Sequence, residues 1–143
     1  MNKFILVSLS CAALLSLALH GTLQAQAGRT TAAGVYTDAQ AKRGAQVYAD
    51  TCASCHGPDM KGTDVIPSLA GPEFENFWRG QPLGDLFEKI STTMPKSMPA
   101  SLKPEQYADV TAYMLSTLKA PAGKVDLAPK VDALKQITIQ AAQ

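Results

Sequence analysis

The sequence predicts an all-α domain in which a few helices are joined by long loops. Residues 82–90, PLGDLFEKI, place apolar side chains at the i, i+3, i+4 and i+7 spacing of one helix face. Residues 104–118 carry a second apolar stripe with the same period. Between such segments Gly and Pro recur without a sustained period, which is typical of loops. The sequence contains no convincing pair of alternating strands.

A leader occupies residues 1–27. Lys3 gives it a positive start, an apolar run follows over residues 4–19, and Ala-Gln-Ala at residues 25–27 forms a small-x-small cleavage pattern. This combination predicts a secretory signal peptide and a mature chain without a membrane span. The apolar run is shorter than the ~20 residues that a helix needs to cross a bilayer. An uncleaved anchor is the alternative interpretation.

Removal of the leader leaves a chain of balanced charge. The sequence has 13 Lys and Arg and 12 Asp and Glu, and Lys3 is the leader's single charged side chain, so the mature chain has 12 of each sign. It also has no basic run or stripe. Nucleic acid and anionic lipid are therefore not expected as partners.

The mature chain divides into a start, a domain and a tail. Residues 28–36 are small and polar and predict a flexible start. The domain is expected over residues 37–120, where Thr37 caps the first helix and Gln40 reaches back to complete a capping box. Residues 121–143 are rich in Ala and Pro with short apolar clusters, and we expect this tail to pack on the domain or trail from it.

Within the domain, the first helix runs into a pair of cysteines. Residues 57–71 follow as a loop, and Pro72 stands near the start of a short helix. After the amphipathic helix at 82–90, residues 91–103 contain two prolines spaced to prevent a regular helix. Pro104 suits the first turn of the last helix, which is expected to stop before residue 121.

The motif that carries chemistry is CASCH at residues 52–56. Two thiols three residues apart on the last turn of a helix can reach the two vinyl groups on one edge of a porphyrin and form thioethers. The histidine that follows is then carried under the iron as its proximal ligand. Ala53 and Ser54 are small, which keeps the gap between the thiols clear. The motif therefore predicts one covalent haem c on Cys52, Cys55 and His56.

Other chemistries of a CxxC pair lack the residues that they need. Cys11 and His20 lie in the leader, so the mature chain has only the two thiols and the one imidazole of this motif. A structural zinc site takes about four Cys or His ligands. A thioredoxin-like pair needs an α/β setting. A disulfide across two residues closes a loop too short to restrain the unfolded chain much.

The residues around this motif resemble those of the class I cytochromes c. The resemblance covers residues from about 40 to 119 and includes GAQVYADTCASCHG, a Met-Pro loop and YADVTAYMLSTL near the end of the last helix. LAGPEF and LFEKISTTMP are most similar to the small periplasmic cytochromes c associated with PQQ-dependent alcohol dehydrogenases. The resemblance implies a cytochrome c fold around one haem.

The sixth iron ligand is expected from a methionine, since His/Met ligation raises the potential and blocks exchange. Met60 lies too close to His56 to reach the opposite face, and Met114 belongs to the apolar stripe of the last helix. Met94 and Met98 remain, each followed by Pro, and local chemistry does not separate them. The family pattern, Thr-Met-Pro followed by Ser-Leu, implies Met94, with Met98 as second choice.

Three further residues are candidates for contacts with the haem. Trp78 is expected to donate its indole N–H to a propionate and Arg79 to pair with one; the alternative is that Trp78 fills the core and Arg79 is solvated. In the family, a proline carbonyl in the loop after the motif accepts from the proximal histidine, which implies Pro67.

The predicted function is that of a periplasmic electron carrier rather than an enzyme. The resemblance implies redox protein partners, with a PQQ-dependent dehydrogenase as donor and a terminal oxidase as acceptor. One alternative is a fixed cytochrome subunit of a quinoprotein dehydrogenase complex. Another is a haem protein with an open distal site for catalysis or ligand sensing, although such sites commonly place a distal His or Arg over the iron and the mature chain has no second His.

Overall fold

The computed structural model describes residues 29–140. The predicted signal peptide, residues 1–27, lies outside them. The predicted helical fold is confirmed. The elements are β1 Arg29–Thr30, a 3-10 turn Thr31–Ala33, α1 Asp38–Thr51, α2 Ala53–His56, α3 Pro72–Trp78, α4 Leu83–Thr93, α5 Pro104–Thr117, α6 Val131–Leu134 and β2 Ile137–Thr138. None of the helices between residues 29 and 140 is long and apolar enough to cross a membrane.

The centre of the fold is the crossing of α1 and α5. At Gly44 the two backbones are in contact, because a Cβ atom there would lie 1.8 Å from the carbonyl oxygen of Asp109. The rings of Tyr48 and Tyr113 pack beside this point with centroids 5.5 Å apart. Since α1 leads directly into Cys52, the crossing fixes where the motif begins.

Residues 29–36 are packed, not flexible as predicted. Val35 and Tyr36 are buried, and so is Thr31. The Tyr36 hydroxyl donates to Ala120 O at 2.6 Å, and the N–H of Gly123 donates to Tyr36 O at 2.6 Å. The prediction was wrong for residues 29–36 because Val35 is buried, and Thr31 and Tyr36 bond to distant segments that local composition does not reveal.

The tail packs on the domain along residues 121–140. Thr37 caps α1 as predicted, accepting from the N–H of Gln40 at 3.1 Å. The Gln40 side chain does not reach back to complete a capping box. It clamps the tail instead, because its Nε2 donates to Leu127 O at 3.0 Å and its Oε1 accepts from Leu127 N at 2.6 Å. The buried apolar residues of the tail are Leu127, Leu134, Ile137 and Ile139.

The two ends of the described chain meet in a short parallel strand pair. Arg29 pairs with Ile137 and Thr30 with Thr138. The Thr31 hydroxyl then accepts from Gln140 N at 3.0 Å. This pairing was not predicted, because strands of two residues are too short to show an alternating pattern.

Helix α4 is longer than predicted. The loop was expected from residue 91, but the helix continues to Thr93 and Met94 caps it, donating its N–H to Ile90 O at 3.1 Å. The hydroxyls of Thr92 and Thr93 donate to carbonyls one turn back, at 2.7 and 2.6 Å. Both hydroxyls are thus satisfied within the helix, a local arrangement that the expectation of a loop from residue 91 did not include.

Candidate haem site

The CxxCH motif forms a compact double turn at the end of α1. Cys52 caps α1 by donating its N–H to Tyr48 O at 2.8 Å, and its own carbonyl accepts from the N–H of His56 at 2.9 Å. Residues 53–56 form α2, and Gly57 ends it with a φ of +76°. The chain therefore places two thiols and one imidazole on consecutive turns.

Tyr48 fixes this turn from inside the core. Its hydroxyl donates to Gly57 O at 2.6 Å, directly after the motif. Burial, with smaller contributions from Cys52, Tyr113 and Asp59, raises the pKa of Tyr48 to about 12. The phenol therefore stays a neutral donor over the physiological pH range. The sequence analysis did not predict this bond; the polar tip of a buried tyrosine is the available signal.

Both thiols of the motif are free in the structure, and they differ in environment. Cys52 is half-buried and Cys55 is exposed. Burial, and secondarily Cys55, raises the pKa of the Cys52 thiol. The pair is not consumed by a disulfide, so both sulfur atoms are available for thioether bonds.

The imidazole of His56 is held by a hydrogen bond at one ring nitrogen, Nδ1, and the other nitrogen, Nε2, takes no part in that bond. The residue is 8% exposed, and its Nδ1 lies 2.9 Å from the carbonyl oxygen of Pro67. Since a carbonyl oxygen only accepts, Nδ1 carries the proton and Nε2 presents its lone pair. Such a bond orients a metal-ligating imidazole and raises its basicity.

The loop after the motif is shaped to bring Pro67 to His56. The N–H of Gly62 donates to His56 O at 2.9 Å. Gly62 has a φ of +68°, and a Cβ atom there would lie 2.2 Å from Ile66 O. Only glycine fits this turn.

Two of the four methionines within residues 29–140 belong to the core: Met114, as expected, and Met60, for which no core position was predicted. Met60 and Met114 are each 1% exposed. The Thr117 hydroxyl donates to Met114 O at 2.7 Å, and its oxygen lies 3.5 Å from the Met60 sulfur, which packs the loop after the motif against α5. Met60 is therefore a packing residue of the core and not a candidate iron ligand.

The remaining two methionines lie in the loop between α4 and α5. Met94 is half-buried, and its carbonyl accepts from the Tyr107 hydroxyl at 2.7 Å. Met98 is 64% exposed, and its N–H donates to Pro95 O at 2.9 Å. Both backbones are hydrogen-bonded, so the two residues differ mainly in exposure, and Met94 as the iron ligand stays a prediction.

Trp78 and Arg79 lie at the end of α3. The buried Trp78 ring packs on Phe74 and Phe77, with centroids 6.2 and 5.2 Å apart. Arg79 is exposed, and its Nη2 lies 3.4 Å from Asn76 Oδ1. In the structure, the indole is a member of an aromatic cluster and the guanidinium faces solvent.

The thiols and the imidazole of the CxxCH motif fit a covalent haem better than a metal ion held by side chains alone. Across residues 29–140, no group of three or more His, Cys, Asp or Glu side chains is placed to hold a metal. The motif instead offers two free thiols beside one buried, tautomer-fixed imidazole. That set matches thioether attachment with a proximal histidine.

Comparison with known families agrees with this site. The family described as cytochrome c oxidase, cbb3-type, subunit III matches residues 39–114, more than half of the 143-residue chain. The chain belongs to this family. This cytochrome domain carries covalently bound haem c and acts in electron transfer.

A relative and a solved structure are similar to this cytochrome. The cbb3-type cytochrome c oxidase subunit CcoP of Rubrivivax gelatinosus is 32% identical over 90 residues, which is 57% of this chain and 27% of CcoP. The chain therefore spans about a quarter of that relative's length. A chain of the sulfane dehydrogenase SoxCD from Paracoccus pantotrophus matches with a TM-score of 0.50 and 21% identity, covering 80% of this cytochrome and 61% of that chain. At this identity the match shows the fold alone.

Proposed function

We propose that the chain is a periplasmic single-haem cytochrome c that carries electrons between a dehydrogenase and a downstream acceptor. The observation that carries this proposal is the bond between His56 Nδ1 and Pro67 O, which leaves Nε2 available to an iron. The two free thiols on the preceding turn supply the covalent attachment.

We assign the haem ligands as Cys52 and Cys55 for the two thioethers, with His56 and Met94 on the iron. The bound haem would supply one-electron Fe(III)/Fe(II) chemistry. Pro67 orients the imidazole and raises its basicity. Met94, at the end of α4, would supply a thioether that keeps exchangeable ligands off the iron.

Trp78 and Arg79 are proposed to meet the haem propionates. Arg79 is exposed at the end of α3, where a guanidinium can pair with a carboxylate. The Trp78 ring is mostly buried, and its indole N–H is the one hydrogen-bond donor that the side chain can offer to a propionate. The packing of Trp78 on Phe74 and Phe77 supports a role in filling the core as well.

The partners follow from two resemblances. CcoP is a subunit of a cbb3-type oxidase, which supports a terminal oxidase as electron acceptor. The motif resemblance to cytochromes of PQQ-dependent alcohol dehydrogenases supports a quinoprotein as donor. The chain acts in this proposal as a carrier and not as an enzyme.

Spectra of the holoprotein test the iron ligands. The oxidised protein should show the far-red band of thioether–iron ligation, and the ferrous protein should show no shift with carbon monoxide. Met94→Ala should abolish the band and admit carbon monoxide, whereas Met98→Ala, the matched change four residues later, should leave both unchanged. Ready carbon monoxide binding by the wild type would favour an open distal site instead.

A second candidate is a fixed subunit of a larger complex. The relative that favours it, CcoP, is itself named as an oxidase subunit. Purification from membranes and periplasm with successive salt washes distinguishes the two. A carrier is released at low salt as a free protein, whereas a fixed subunit remains with a dehydrogenase or oxidase.

A further inference from the structure

The loop that follows α4 is closed at its base by a single phenol. We define the ligand loop as residues 94–102. At its beginning, the Tyr107 hydroxyl donates to Met94 O at 2.7 Å. At its end, the same oxygen accepts from the N–H of Leu102 at 3.3 Å. One hydroxyl thus joins the first and the last residue of the loop.

Tyr107 is itself rigidly placed. It lies in the first turns of α5 and is 4% exposed. The start of that helix is fixed by Lys103, which donates its N–H to Gln106 Oε1 at 3.0 Å. The next turn is tied to Tyr107 by the Thr111 hydroxyl, which donates to Tyr107 O at 2.8 Å. The phenol is therefore a fixed reference point for the loop.

We propose that Tyr107 is a positioning residue that keeps Met94 on the iron by holding the ligand loop closed. This inference rests on the assignment of Met94 in the proposed function. In this proposal, release of the Met94 thioether moves the backbone of the ligand loop with it, and that movement breaks both bonds to the phenol. The second acceptor contact of Met94 O, from Ala100 N at 3.3 Å, lies within the loop and moves with it.

The test is a titration of the oxidised holoprotein with imidazole, which competes with the thioether for the iron. Tyr107→Phe keeps the buried ring and removes the hydroxyl. We expect the far-red band to persist without imidazole and the apparent affinity for imidazole to rise about tenfold, the effect of losing hydrogen bonds of ordinary strength. Unchanged imidazole affinity in Tyr107→Phe would overturn the inference.

A matched control separates positioning from general loosening. Tyr113→Phe removes a phenol from the same helix at the α1 crossing, away from the ligand loop, and should leave imidazole affinity unchanged. An equal rise in both variants would show that any weakening of α5 releases the ligand, which overturns the inference. If Met98→Ala rather than Met94→Ala abolishes the far-red band in the same experiment, the ligand assignment fails and the inference with it.

A measurement on the wild type keeps the test independent of variant folding. The amide of Leu102 should be protected from hydrogen exchange, and saturation with imidazole should speed its exchange at least about tenfold relative to the amide of Val110 within α5. Equal rates for Leu102 with and without imidazole would show that the loop does not open when the thioether leaves, and would overturn the inference.

Discussion

Gly44 and Asp109 bring the backbones of α1 and α5 into direct contact. A Cβ atom at residue 44 would lie 1.8 Å from Asp109 O and 2.9 Å from the Cβ of Tyr113. Nearby, the Arg43 guanidinium binds both carboxylate oxygens of Asp109 at 3.0 Å. The helix that delivers the CxxCH motif is thus positioned by a contact that only glycine permits.

Gly44→Ala should destabilise the protein strongly. Alanine at an ordinary helical site stabilises by about 1 kcal/mol relative to glycine. Here the added methyl meets backbone that no rotamer change can clear, so we expect a net loss of about 3 kcal/mol, at the upper end of overpacking penalties. Denaturant unfolding of the holoprotein measures it. Ala49→Gly, at an exposed site of the same helix, should lose only about 1 kcal/mol. A Gly44→Ala variant as stable as the wild type would contradict the close crossing.

Gln40→Leu should release the tail. The buried amide makes two hydrogen bonds to the backbone of Leu127, and leucine would leave both backbone groups without that partner. We expect a loss of about 2 kcal/mol in the free energy of unfolding. Gln46→Leu on the same helix removes an exposed amide and should change stability by less than about 0.5 kcal/mol. Equal effects of the two substitutions would refute a specific clamp.

Asp126 should make the attachment of the tail depend on pH. The Thr37 hydroxyl, and next the Arg43 guanidinium at 2.7 Å, lower the pKa of Asp126. A carboxylate with a lowered pKa stabilises the folded state above its unfolded pKa of about 3.9 and loses that contribution as the pH falls through its folded value.

The melting temperatures of wild type and Asp126→Asn should therefore differ by a constant amount from pH 7 to about pH 4, and converge below it. Asp64→Asn, which removes one exposed carboxylate elsewhere, should follow the wild type throughout. A difference that persists undiminished to about pH 2 would argue against the charge of Asp126 as its cause.

The two thiols should account for covalent attachment of the haem. Replacing both Cys52 and Cys55 by Ala should yield protein whose haem is extracted into acidified organic solvent, whereas wild-type haem stays with the polypeptide. Each single substitution should retain the haem through one thioether, with an intermediate shift of the haemochrome spectrum. Ser54→Ala, between the two, serves as the matched control. Retention of haem by the double variant would rule out thioether attachment at this motif.

The parts of the fold that could be predicted are those with a local signal. The Thr37 cap and the apolar stripe of residues 82–90 depend on residues within one or two turns of each other, and both appear in the structure. The packing of residues 29–36 and the Gln40 clamp depend on partners more than 80 positions away. No local pattern encodes such pairs.

The candidate site likewise has one part that local sequence predicts and one part that it does not. The motif at residues 52–56 predicts haem attachment from its spacing alone, because the order of two thiols and one imidazole determines which groups of a haem they can reach. The anchoring of Met94 by Tyr107 was missed, since an apolar stripe predicts which side a tyrosine faces and not what its hydroxyl reaches.

The bonds between Thr31 and Gln140 have a consequence for the order of events during synthesis. The two residues are 109 positions apart, and the ribosome makes the first long before the second. Residues 29–31 therefore lack their partners until residues 137–140 have been added. Native contacts of such long separation also slow the closing steps of folding. Truncation before the second strand should leave residues 29–31 without their partners, whereas Tyr36 keeps its bonds to Ala120 and Gly123.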